Sequence, residues 1–409
     1  MTRLLTLTGV VLALALALGT AGVLAARTTY DANGTILLNG VKTFPISLNK
    51  PPPLDGLTPW GTAALDEVVG AGVTLLGAGP VGRDWTDADL ADASAWTAAA
   101  AARGVHAWIH LRELARAAPG TLEEERLRTV VGALRDDPGL ALWKGVDEPW
   151  WSGYPADALA HSYALTKSLD PAHLSFVTQA PRGTPADLAP YASVADVHGV
   201  DVYPVRYRRP DPNLHAVGTW TKRVASVTPN HVVMTTLGIC FRGSADPAGS
   251  GAVVLATRRQ ARYMAYDAIM NGARALNFYG GHLPACLGQR DAPLNWNWSY
   301  WETVLRPLVG EIGPRSRLYR ALLVPGSALA VRTSDVRTPV VSRRVGREIW
   351  VIAARWGRGR ARVRFTRLPK SLRARGWVYR ENRRVVVRDR TFSDRFSRWD
   401  VHVYRFRTR

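Results

Sequence analysis

Cysteine is nearly absent: Cys240 and Cys286 are the only two in 409 residues. That excludes a scaffold stapled by several disulfides and a Cys-rich zinc module, so apolar burial has to hold the fold. Nucleotide signatures are missing too. The Gly- and Ser-rich stretch GSADPAGSGA (243–252) has no P-loop lysine, no Gly-rich fingerprint follows an early strand-like run, and no Gly-x-Ser-x-Gly elbow occurs. His106, His110, His198 and His282 are dispersed along the chain. His110 with Glu113, or His198 with Asp201, has a ligand-like spacing, but no tight His/Cys cluster accompanies either pair. Neither a metal nor a cofactor is therefore expected.

Acidic residues are the other shortage, with 33 Asp/Glu against 53 Lys/Arg and a formal net charge of +20. The imbalance is local: residues 321–409 hold 24 Lys/Arg and 6 Asp/Glu, while the remaining 320 hold 29 and 27. A segment this basic attracts anionic polymers, either an acidic wall polymer or a membrane surface. The competing reading is that the arginines only decorate solvent-facing strand positions. No nucleic-acid recognition motif occurs, so nucleic acid is not an expected partner.

What is present begins with Arg3 and an uncharged apolar run, Leu4 to Ala26, ending in small residues. It reads as a signal peptide over 1–26, hence a secreted or envelope-associated protein, with an uncleaved anchor as the alternative. Beyond it, strand-like runs recur at 43–49, 73–79, 105–111, 140–148, 173–181, 194–205, 231–239 and 273–281, with helical segments between them. TLEEERLRTVVGALRDD opens on a capping-box pattern, Thr121 and Glu124, and Asn39-Gly40 marks a hairpin turn before the first run. Eight such units predict a (β/α)8 TIM barrel over 27–320. After it, short runs such as ARVRF, which alternates apolar and basic residues, predict a small antiparallel β-sandwich over 321–409.

In such a barrel the reactive groups sit where strands end. Those ends carry Asn49 and Lys50; Arg83, Asp84 and Trp85; His110, Arg112 and Glu113; Asp147, Glu148 and Trp150. They continue with Gln179; Asp201 and Tyr203; Cys240; and Tyr279 and His282. Carboxylates, amides and aromatic faces are what a sugar site needs: flat rings cover the C–H faces of pyranoses, and paired carboxyls break acetals. Trp150-Trp151 cannot both point inward, and the polar run NWNWS puts Trp296 and Trp298 in an expected binding loop. Cys240 and Cys286 fall in loops on one barrel face and are expected to pair, two free buried thiols being the alternative.

The run VDEP at the end of the fourth strand resembles the strand-four motif of clan A (β/α)8 glycoside hydrolases. LLNGVKTFPIS into strand one, VDVYPV ending strand six, RYMAYDAIMNGARALNFYGG into strand eight and the final FSRWDVHVYRF are similar as well. The resemblance covers nearly the whole chain after the leader. It implies Glu148 as proton donor and a carbohydrate substrate, for which the strand ends and loops offer Asp147, Trp150, Tyr203, Glu113, Gln179, Tyr279, Trp296 and Trp298 as expected contacts. It breaks at strand seven, where VVMTTLGICFR offers no carboxylate between Val232 and Arg242. Asp201 is the leading second carboxylate, as the base of an inverting reaction, with Glu113 or Asp84 as alternatives. A barrel without a second catalytic group would instead be a carbohydrate-binding protein.

Overall fold

A computed structural model describes residues 26–409 except positions 81, 83, 210, 231, 327 and 328. The expected leader therefore lies outside the described residues save for Ala26, and so does Arg83. Eight parallel strands close a barrel in chain order: Ile46–Leu48, Leu75–Ala78, His106–His110, Leu140–Asp147, Leu174–Gln179, Val197–Val202, Val233–Gly238 and Ala273–Tyr279. The eighth pairs back on the first, Leu276 beside Ile46. Parallel strands are covered on both faces, which is why these segments read as near-continuous apolar runs.

The N-terminal strands Thr28–Tyr30, Ile36–Leu38 and Val41–Thr43 form a small antiparallel sheet under the barrel. Asn39 and Gly40, both at positive φ (51° and 78°), make its turn, as an Asn-Gly pair favours. Ile36 and Leu38 are buried in one cluster with Leu75, Trp108, Leu142 and Phe176, so this sheet plugs the end of the barrel opposite the strand C-termini. Thr121 caps the helix Leu122–Leu134 through its Oγ1. The Glu124 carboxylate closes the box one residue early, accepting from the Gly120 N–H at 2.6 Å.

Past the short helix Tyr319–Leu322 the chain forms two antiparallel sheets. One holds Arg332–Thr333, Ala361–Thr366 and Phe392–Phe396; the other holds Val340–Val345, Glu348–Ala354, Val401–Arg407, Arg375–Val378 and Arg383–Val386. The barrel-plus-sandwich architecture is thus as expected. One run differs: RVVVRDRTFSD is split between two strands in different sheets, because Asp389 and Arg390 turn at positive φ (47° and 60°). Among the described residues, no helix is long and apolar enough to cross a membrane.

The two parts share one core. Trp350, Ile352, Val401 and Val403 of the five-stranded sheet are buried in the same cluster as Tyr263, Tyr266 and Ile269 of helix Arg258–Met270. Glu311 sits at this seam. It accepts from Arg262 Nε at 2.9 and 3.0 Å, from Arg262 NH2 at 2.8 Å and from the Tyr266 hydroxyl at 2.6 Å, while Arg262 NH1 donates to the Val401 carbonyl at 2.6 Å. A buried arginine left without its carboxylate is costly. Glu311→Leu is accordingly expected to destabilise the protein by about 3–5 kcal/mol in urea unfolding, and Arg262→Met in the same chain to recover part of that loss.

Candidate functional site

The C-terminal ends of the strands open into a cavity of about 490 Å³. Strand four supplies its chemistry. Lys144, Asp147 and Glu148 all line the cavity, although neighbours on a regular strand alternate between faces. A register shift between Lys144 and Asp147, in their pairing with strand five, breaks the alternation. Glu148 then takes the left-handed conformation, φ 49°, while its N–H donates to the Thr178 carbonyl at 2.6 Å. This kink lets the adjacent Asp147 and Glu148 both line the cavity. A non-glycine residue in that region costs roughly 1–3 kcal/mol, a strain that is concentrated at functional sites.

From strand six, the buried Asp201 reaches the same space and meets Glu148 carboxyl to carboxyl, with Tyr203 also hydrogen-bonded to it. Its Oδ1 is buried without a partner. Burial, reinforced by the charge on Asp147, raises the Glu148 carboxyl above the usual range. Burial, then the charges of Glu148 and Asp147, drives Asp201 well above it. Two carboxyls this close oppose each other's ionisation, so the pair favours the state in which one member keeps a proton. Asp147 is more open, its side chain 52% exposed, and is paired with Lys144 Nζ at 2.6 Å.

Aromatic rings continue the wall from there. Tyr203 stacks on Phe241 at 5.1 Å and on Tyr279 at 5.7 Å between ring centres, and His282 meets Tyr279 edge-on at 5.8 Å. Cys240 and Cys286 are joined in a disulfide, with Cα atoms 6.4 Å apart, tying the strand-seven loop to the strand-eight loop. Gly280, at φ 99°, permits this approach: a Cβ there would lie 1.8 Å from the Cys240 carbonyl oxygen. The strand-seven position that carries a carboxylate in the resembled enzymes holds Thr236, whose Oγ1 accepts from Asn277 Nδ2 at 3.2 Å.

Of the sequence candidates, Asp147, Glu148, Asp201, Tyr203 and Tyr279 gather around the cavity, as do Asn49, Lys50, His110, Arg112 and His282. Others lie behind it. Gln179 is buried, and its Oε1 accepts from the Trp150 N–H at 3.3 Å; Trp150 itself packs between the cores and against Gly183. Glu113 is on the turn Arg112–Arg116, its Oε2 buried without a partner. Trp296 and Trp298 are corrected outright. Both are 0% exposed, packed edge to face at 4.9 Å, and Trp296 Nε1 donates to the Lys50 carbonyl at 3.1 Å. The sequence reading missed Lys144, whose signal was a lone charge inside the apolar run LALWKGVD, and the loop residues Phe241 and Arg242. Among the described residues, no three His, Cys, Asp or Glu gather as a metal site.

No family model and no curated protein matches the sequence. Solved structures match over most of the chain. A structure described as a glycoside hydrolase aligns at TM-score 0.61 and 11% identity, covering 94% of this chain and 97% of that one. A glycoside hydrolase family 5 protein from Bacteroides vulgatus gives 0.59 and 11%, covering 93% of each chain. The α-amylase of Geobacillus thermoleovorans, complexed with acarbose, gives 0.57 and 12%, covering 89% and 98%. The likeness is one of fold: the chain has a (β/α)8 glycoside-hydrolase-like fold, in agreement with the resemblance read from VDEP.

The carboxyl pair has a consequence for stability. Both groups bind a proton more tightly folded than unfolded, so their contribution is full below about pH 4 and is lost as pH rises through the folded values. The double variant Glu148→Gln/Asp201→Asn is expected to lose this decline and to unfold at higher urea than the parent at pH 7. Urea midpoints between pH 4 and 8 measure it, and parallel profiles for the two proteins would refute it.

Proposed function

We propose that the protein is an exported glycoside hydrolase that cleaves a polysaccharide or oligosaccharide with Glu148 as general acid and Asp201 as its partner. The observation that carries this reading is the proton-sharing carboxyl pair facing an aromatic wall in the cavity at the strand C-termini. A glycosidic oxygen is a poor leaving group until protonated, and the proton of the pair, held at rest on the more strongly raised Asp201, passes to Glu148 as the sugar enters between them. Glu148 gives that proton to the leaving oxygen as the C–O bond breaks. Water adds to the anomeric carbon and passes a proton to Asp201; exchange with solvent then resets the pair. With Thr236 at the end of strand seven, water rather than an enzyme carboxylate is the nucleophile, and the anomeric centre inverts.

The pair is in direct contact, whereas inversion needs its carboxyls roughly 6.5–9.5 Å apart and retention roughly 5–5.5 Å. The proposal therefore requires the entering sugar to part Glu148 from Asp201. A second reading, a carbohydrate-binding protein without turnover, is favoured by that same contact and by the missing strand-seven carboxylate. Export rests on the apolar leader and fits the Cys240–Cys286 disulfide, a bond typical of oxidising compartments.

The sandwich is proposed to hold the protein on an anionic wall polymer or a membrane surface. Its five-stranded sheet exposes Trp377 with Arg384 stacked over the ring at 3.9 Å, and exposes Arg373 and Arg375 alongside. Arg375→Glu/Arg384→Glu is expected to lower the salt concentration that releases the protein from an acidic-polysaccharide matrix, since fewer counterions are displaced.

Reducing-end release from a broad glycan panel tests the hydrolase. Glu148→Gln should cost about 10²–10⁴-fold in rate, and product analysis by NMR should give the inverted anomer. Unchanged activity would remove Glu148 from the reaction. Tight binding without release by the parent protein would establish the second reading.

A further inference from the structure

The cavity wall carries a charge excess that the carboxyl chemistry does not use. Lys50 follows strand one and Arg112 follows strand three, and both line the cavity. Lys50 Nζ donates to the Gly79 carbonyl at 3.0 Å; Arg112 Nε and NH2 donate to the Pro80 carbonyl at 3.1 and 3.0 Å. Both cations are thus hung on the loop after strand two. Gly79, at φ 109°, lets that loop close in: a Cβ there would lie 2.9 Å from the His110 carbonyl oxygen. Trp296, beneath, fixes the Lys50 carbonyl, and Arg112 itself adopts a left-handed φ of 55°.

Among the described residues, neither cation has an acidic side chain within ion-pair distance, in contrast to Lys144, which has Asp147. Burial, and then the charge of Arg112, depress the Lys50 ammonium to about 8. Asp92 and Asp89, on the helix Asp87–Ala101, offset that push only in part and do not line the cavity, and burial keeps both His110 and His282 neutral at pH 7. Even with all three carboxyls of the lining ionised, Asp147, Glu148 and Asp201, the walls hold four cations, Lys50, Arg112, Lys144 and Arg242. Like charges held together without a counterion are unfavourable unless a ligand supplies one. Among the described residues, no partner takes the other two Lys50 N–H groups or the rest of the Arg112 fork, and a planar fork matches an oxyanion.

We infer that the sugar bound in this cavity is anionic, and that Lys50 and Arg112 seat its carboxylate, sulfate or phosphate in the mouth that the Tyr203–Tyr279 wall also lines. The inference rests on the cavity being the sugar site and names the class of sugar. Neutral glycans would leave the two cations uncompensated; acidic ones neutralise them on binding.

Calorimetric titration of Glu148→Gln protein separates this from turnover. Arg375→Gln and Arg384→Gln are added so that the sandwich face does not contribute. Matched oligosaccharides are compared: neutral, uronic-acid-containing, sulfated and phosphorylated. An acidic series should bind and the neutral one bind at least about tenfold more weakly; the series that binds identifies the anion. Lys50→Gln and Arg112→Gln should each weaken the acidic ligand about 10- to 100-fold and the neutral one little, with unchanged thermal unfolding as the control. Equal binding of neutral and acidic ligands, or no binding of any acidic one, overturns the inference. Acidic binding without cleavage by the parent protein would sink the hydrolase and leave this site standing. Cleavage of a neutral glycan, indifferent to Lys50→Gln and Arg112→Gln, would do the reverse.

Discussion

Two carboxyl groups brought into contact at the mouth of the barrel oppose each other's ionisation, and much of this molecule can be understood from that restriction. Glu148 and Asp201 arrive from strands four and six, which are not neighbours in the barrel; strand five separates them. Their meeting depends on closure of the barrel and on the kink that turns Glu148 inward beside Asp147. Because burial, and then neighbouring carboxylate charge, raises both carboxyls, folding has to supply the offsetting energy elsewhere. The hairpin that plugs the far end, the Trp108 and Phe176 layer above it, and the sandwich seam at Glu311 are where that apolar and hydrogen-bonded stabilisation lies.

The wall around the pair is asymmetric. On one side Tyr203, Phe241 and Tyr279 present stacked faces, held by loops that the Cys240–Cys286 disulfide ties together. Beside them, Lys50 and Arg112 present charge, fixed by backbone carbonyls rather than by carboxylates. Stacked ring faces and cations that have no ion-pair partner among the described residues, lining one cavity of about 490 Å³, would orient a ligand with an apolar face and an anionic group. The basic face of the sandwich is compatible with the same class of polymer, which gives the two parts of the chain a common chemistry.

Fold and site were unequally legible in the sequence. Apolar runs at a steady spacing determined the eight strands, since a parallel strand must be covered on both faces, and Asn39-Gly40 and Thr121 fixed a turn and a cap through their own side chains and backbone preferences. NWNWS misled because its asparagines signal exposure. In the fold, Asn297 spends its side chain on the Tyr300 N–H and the Cys286 carbonyl, and both tryptophans go inward. Likewise, nothing in DRT marks the turn that sends Phe392 to a second sheet.

By itself the sequence determined the kinds of element, their order, the basic C-terminal segment and the carboxylates available at strand ends, because periodicity and composition are local properties. Only the tertiary structure decided which of those groups meet. The contact of Glu148 with Asp201, the retreat of Glu113 and Gln179 behind the wall, and the unpaired state of Lys50 and Arg112 are set by register, a kinked φ and distances between residues dozens of positions apart. Such through-space charge relations have no one-dimensional signature, since the dielectric surroundings and neighbours that define them exist only once the barrel is closed.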